Sequence, residues 1–135
     1  MEQGNYTQLL ADFLGLFGWF SSAVTVDRVG LVPGSAGLFP AGQEEKLLRR
    51  DILEQSLYQC TWHYTLRCRA VAGKETAARL EAFAQWLRER SRQKNCPQFG
   101  ADTCITAGKW KLSKHPTGGC DLYEIGLTVT ATVSR

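Results

Sequence analysis

None of the short motifs that announce a reaction occurs in these 135 residues: no H-E-x-x-H, no G-x-S-x-G, no EF-hand loop and no phosphate-cradling glycine loop. Their absence removes the usual signatures of zinc proteases, serine hydrolases, calcium sites and nucleotide sites. Histidine is scarce, with two in the chain. The five cysteines (Cys60, Cys68, Cys96, Cys104 and Cys120) are odd in number and contain no C-x-x-C pair, so neither a disulfide framework nor a zinc ribbon is spelled out. Long apolar runs are missing too. The longest, Leu9 to Val26, is broken by Asp12, two glycines and two serines, which fits neither a membrane span nor a signal peptide. Net charge is small: 16 Lys and Arg against 13 Asp and Glu leave +3, far below the charge of a protein that lives on nucleic-acid phosphates.

What is present is the composition of one globular domain, spanning residues 1–135. Hydrophobic residues make up 44% and charged residues 21%, enough to bury a core, and the length suits one domain and not two. Tyr6, Leu9, Leu10, Phe13, Leu14 and Phe17 recur at helical spacing, and Gly15 and Gly18 end that helix. Ala23 to Val29 reads as a short strand. Gly30 to Gln43, with its glycines and prolines, reads as an irregular excursion longer than a hairpin needs. Lys46 to Leu53 fits a short helix through Leu47, Leu48, Ile52 and Leu53, and equally an exposed strand with Leu47, Arg49, Asp51 and Leu53 on one side.

Beyond it the pattern is strict. Tyr58, Cys60, Trp62, Tyr64, Leu66, Cys68 and Ala70 alternate with polar residues, which predicts a long half-buried strand. Lys74 to Gln93 carries a helical stripe of Ala77, Leu80, Phe83, Ala84 and Leu87. Thr103 to Leu112 is a weaker strand. His115-Pro116-Thr117-Gly118-Gly119 suits a connection between antiparallel neighbours, and Tyr123 to Ser134 alternates cleanly as the last strand. The order predicts an α+β domain, a mainly antiparallel sheet with two helices packed on one face.

Candidate sites are few. Cys60 and Cys68 share one side of the long strand, and His63 lies on the other, so they form no metal site there. Cys120 and His115 flank the Pro-Gly-Gly turn, but two residues make neither a structural metal site nor a convincing nucleophile pair. Arg67 and Arg69 share the polar side of that strand, and Arg49 and Arg50 join them in a basic stripe if the preceding segment pairs as a strand. Trp62 and Tyr64 alternate onto the opposite face, so basic and stacking groups are not interleaved as single-stranded nucleic acid requires. A solvated or intersubunit face is the reading favoured for those arginines. Leu31, Leu38 and Phe39 in the Gly- and Pro-rich excursion are expected to serve assembly, with folding back over the chain's own core as the alternative.

Five segments taken together carry a resemblance: Gly37-Leu38-Phe39-Pro40-x-Gly42, Asp51-Ile52-Leu53, the aromatic strand ending in Leu66-Arg67, Leu80-x-x-Phe83-x-x-Trp86, and Pro97-x-Phe99-Gly100. They resemble small minor capsid or tail proteins encoded by prophages of Gram-positive bacteria. In length and element order the chain is similar to the tail terminators of long-tailed phages, of the lambda type. One departure is that members commonly carry a Gly-Asn turn after Asp-Ile-Leu, where this chain has Glu54-Gln55-Ser56. The resemblance implies a structural protein and not an enzyme, with no catalytic residue, cofactor or metal. It implies a homo-hexameric ring that caps the tail tube protein, meets the head-tail connector protein and lets DNA pass transiently. It also implies residence in the bacterial host cytoplasm during assembly and then in the virion tail, without a membrane partner. Two other readings stand beside it: a small α+β nucleic-acid- or protein-binding module, and a thiol-dependent enzyme.

Overall fold

The computed structural model describes residues 3–20, 24–29, 34–50, 55–71, 73–117 and 120–134. In chain order they form α1 (Gln3–Leu14), a 3₁₀ turn (Gly15–Phe17), β1 (Thr25–Val26), β2 (Ala36–Arg50), β3 (Ser56–Ala70), α2 (Lys74–Arg92), β4 (Ala101–Ala107), β5 (Lys111–Thr117) and β6 (Cys120–Ser134). The sheet has six strands in the order β1-β2-β3-β6-β4, and β5 pairs with β6 beside β4. All pairings are antiparallel except β1 with β2. The fold is α+β, as the alternation of patterns predicts.

β3 shows why. Its even-numbered residues from Cys60 to Ala70 are buried and its odd-numbered ones half-buried, so the strand has a helix side and an open side. Trp62, Tyr64 and Leu66 share one core with Ile125, Leu127 and Val129 of β6 and with Leu80, Phe83 and Leu87 of α2. α1 adds Leu10, Phe13 and Leu14, while Gln8 and Asp12 hydrogen-bond to each other in solvent. Gly18, at φ +83°, stops the 3₁₀ turn. Two residues expected on the apolar stripes face water instead, Leu9 on α1 and Ala77 on α2.

Aromatic rings tie the layers together. Tyr6 of α1 stacks on Phe99 at 4.5 Å between centroids, and Trp62 meets Phe99 edge-on at 4.9 Å. Phe13 stacks on Trp86 of α2 at 5.1 Å. The Pro97-x-Phe99-Gly100 turn is organised by Thr103, whose hydroxyl oxygen accepts from the Phe99 and Gly100 N–H groups. Cys68, sealed in this core, has its thiol pushed from 9.0 up to about 12 by burial, which makes it a packing group and a poor nucleophile. No described helix is long and apolar enough to cross a membrane.

Two expectations need correction. The excursion expected from Gly30 to Gln43 is a strand from Ala36 onward, pairing Ala36 with Cys68 through Gln43 with Trp62; residues 30–33 lie outside the described ones. Its glycines and proline are strand features here. Gly37 passes so close to the chain just beyond β1 that a Cβ there would stand 2.0 Å from the Arg28 carbonyl oxygen. Pro40 and Gly42 flank a bulge, with Gly42 at φ +149°. Likewise the strand expected over Thr103 to Leu112 is two strands along one edge of β6, parted at Gly108-Lys109-Trp110. The ambiguous stretch beginning at Lys46 is strand as far as Arg50, and Asp51, Ile52 and Leu53 lie outside the described residues.

The close approach at Gly37 generates a test. Gly37→Ala must displace backbone and not a flexible side chain, so it should lower stability in urea by about 1–3 kcal/mol; an unchanged midpoint would show that the Arg28 backbone does not pack there.

Candidate assembly surface

β2 has two halves with different surroundings. Ala36, Gly37 and Leu38 are buried, held between β3 and the parallel β1. Pairing with β1 stops at Val26 opposite Leu38, and from Pro40 to Arg50 every residue is exposed. This second half is an arm. Its inner edge is paired to β3 from Gly42 opposite His63 to Arg50 opposite Ser56, and among the described residues no strand pairs with its outer edge. Leu47 and Leu48 are 48% and 47% exposed on it. Unpaired edges invite pairing, and this one carries the usual deterrents, a proline, bulges and charges, together with two leucines that deter nothing.

The residues proposed from sequence for an oligomer interface fall in four different environments. Leu38 is not a surface residue: it is fully buried opposite Leu66 in its own core, because the segment is a strand between two others. Phe39 is half-buried on the open side, with the Arg67 guanidinium 4.8 Å above its ring. Arg67 also donates through Nε to Glu124 Oε2 at 3.2 Å, joining β2, β3 and β6 on one face. That arginine is engaged within the chain. Arg69 follows it on the same side, half-buried, and its backbone exchanges hydrogen bonds with Gly34 and Ser35.

The four arginines therefore form no common stripe. Antiparallel register sets Arg49 opposite Leu57, ten positions along β3 from Arg67, or about 33 Å at the rise of a strand. Arg50 faces the other way, since its partner Ser56 belongs to the helix side and accepts from Arg50 Nε at 3.3 Å. A bulge at Leu48 breaks the alternation, so Leu47 and Arg49 also lie on opposite sides. The arm itself is what sequence reasoning missed. Its signal was the alternative reading of Lys46 to Leu53 as an exposed strand, extended backward through Gly42.

Other groups add little chemistry. His63 Nε2 sits 3.3 Å from Glu44 Oε1 on the open side. Cys60 and Cys68 point together into the core. Burial, and then the neighbouring Cys104, push the Cys96 thiol up. Among the described residues no three His, Cys, Asp or Glu side chains come together to hold a metal. The His115 and Cys120 side chains fall outside the description.

The unequal surroundings of the arginines give a direct comparison. Arg67→Ala should cost about 1 kcal/mol in urea denaturation, through the lost ring contact and the half-buried carboxylate pair, whereas Arg49→Ala should stay within about 0.5 kcal/mol of wild type. Equal effects would contradict the placement. No protein-family model matches the chain, and no curated protein does.

Proposed function

We propose that this chain is a structural phage tail protein of the tail terminator type, one that assembles with its own copies into a ring, caps the tail tube and meets the head connector. The observation that carries the reading is the arm: a strand edge exposed from Pro40 to Arg50 and bearing Leu47 and Leu48 makes sense as half of an interface. The motif resemblance supplies the kind of assembly. A sheet whose end strand has no partner on its outer edge among the described residues suits a head-to-tail contact, and repeated head-to-tail contacts close into rings when the rotation between copies allows it. In this reading the protein works by shape and contact, and its polar groups serve packing and docking.

Solution mass decides it. Sedimentation of the purified chain, alone and with tail tubes, should give a species of six 15.0 kDa chains, free or bound at tube ends. A monomer at every protein concentration, with tubes neither capped nor bound, would overturn the proposal.

A further inference from the structure

The end of the sheet opposite the arm carries a cleft of about 440 Å³ between α2 and the break separating β4 from β5. Its construction follows from local chemistry. Gly108 donates its N–H to the Gly126 carbonyl at 2.9 Å, after which the chain leaves the β6 ladder until Lys111. Trp110 then turns back toward α2, where its indole N–H donates to the Leu80 carbonyl at 2.9 Å and its ring meets Phe83 edge-on at 5.7 Å. Those two contacts fix the indole as one wall. Leu80 and Ala84 form the floor, and the small side chain of Ala84 leaves the space open. Two cations, Arg88 and Lys109, and one carboxylate, Glu81, stand at the rim, all exposed, so the rim is positive by one charge. Arg88 is 4.0 Å from Glu81, a long surface pair of little strength.

The arm matches this cleft in chemistry and in spacing. Glu45 and Leu47 occupy the same side of β2, opposite Cys60 and Tyr58, and stand about 7 Å apart along a strand; Glu45 Oε1 accepts a weak bond from Cys60 Sγ at 3.7 Å, which leaves the exposed carboxylate its charge to pair with a cation. Ala84 and Arg88 are one helical turn apart, about 6 Å. A leucine seated over Ala84 against Trp110 therefore brings a glutamate to Arg88. Within one chain the match cannot be made, because β3 and β6 lie between the arm and the β4–β5 edge.

We propose that the cleft between α2 and Trp110 receives the β2 arm of a second copy of this chain, with Leu47 on the apolar floor and Glu45 beside Arg88. The contact is heterologous: each copy gives an arm at one end of its sheet and accepts one at the other, which is the connectivity a ring requires. The inference rests on the ring-forming reading and names the surface that the arm meets. Desolvating Leu47 drives the contact, and the charges set its register.

Charge exchange tests it, since every residue involved is exposed and the variants should fold with unchanged circular dichroism. Arg88→Glu and Glu45→Arg, each alone, should weaken association by tenfold or more in sedimentation, and Leu47→Asp should do the same. The double variant Glu45→Arg with Arg88→Glu should recover to within about threefold of wild type, because each interface then holds the pair in reversed order. Wild-type rings that survive Arg88→Glu or Leu47→Asp unchanged, or a double variant no better than the single ones, would overturn the arm-in-cleft contact and leave the ring itself standing. A wild-type chain that never associates, with or without tubes, would remove both.

Discussion

The ladder between β3 and β6 is the constraint on which everything else is built. It runs without a bulge from Leu57 opposite Ser134 to Ala70 opposite Asp121, so two strands of equal length present an apolar side from Cys60 to Cys68 and a largely polar side opposite it, which Leu57 and the buried Leu122 interrupt near its ends. A slip of one residue would turn Trp62, Tyr64 and Leu66 to the open side and Arg67 into the core. Both helices, the aromatic stack at Phe99 and the buried half of β2 all pack on the side that this register defines. The polar side is then free to hold cross-strand pairs such as Arg67 with Glu124.

The two edges flanking that ladder are treated differently. β4 lies against α2, which blunts it: the Ile105 N–H, for example, donates to the Ser91 hydroxyl at 2.8 Å. Among the described residues β2 is paired on its outer edge only at Gly37 and Leu38, by β1. Covering the whole strand would have hidden Leu47 and Leu48; leaving it bare exposes a template for pairing. An asymmetric sheet of this kind favours contacts between unlike surfaces over contacts between like ones, and the cleft beside Trp110 is an unlike surface that offers an apolar floor with Arg88 and Lys109 outnumbering Glu81 at its rim.

The elements that periodicity alone specifies were legible: β3, β6 and α2 can be read from their residues because each buries one face over most of its length, α2 from Leu80 onward. β2 was not, because its glycines and proline look like loop punctuation until their reasons are seen, a carbonyl at Gly37, a bulge at Gly42 and an edge at Pro40. Its outer half also lacks the alternation that burial imposes, since both of its sides meet water. The interface residues fared worst. A strand's pattern gives each side chain a face, yet whether Arg49 lies near Arg67 depends on the register between strands, which no single segment encodes. Bulges at Ala41 and Leu48 shift that register further.

Amide hydrogen exchange along β2 tests the central claim, that the arm is held by one edge and completed by a second copy. In dilute chain, alternate amides between Gln43 and Arg50 should exchange far faster than those of Trp62 to Leu66, and they should slow when the protein is concentrated or bound to tail tubes. Arm amides already as protected as β3 in dilute solution, or equally fast in the assembled state, would contradict it.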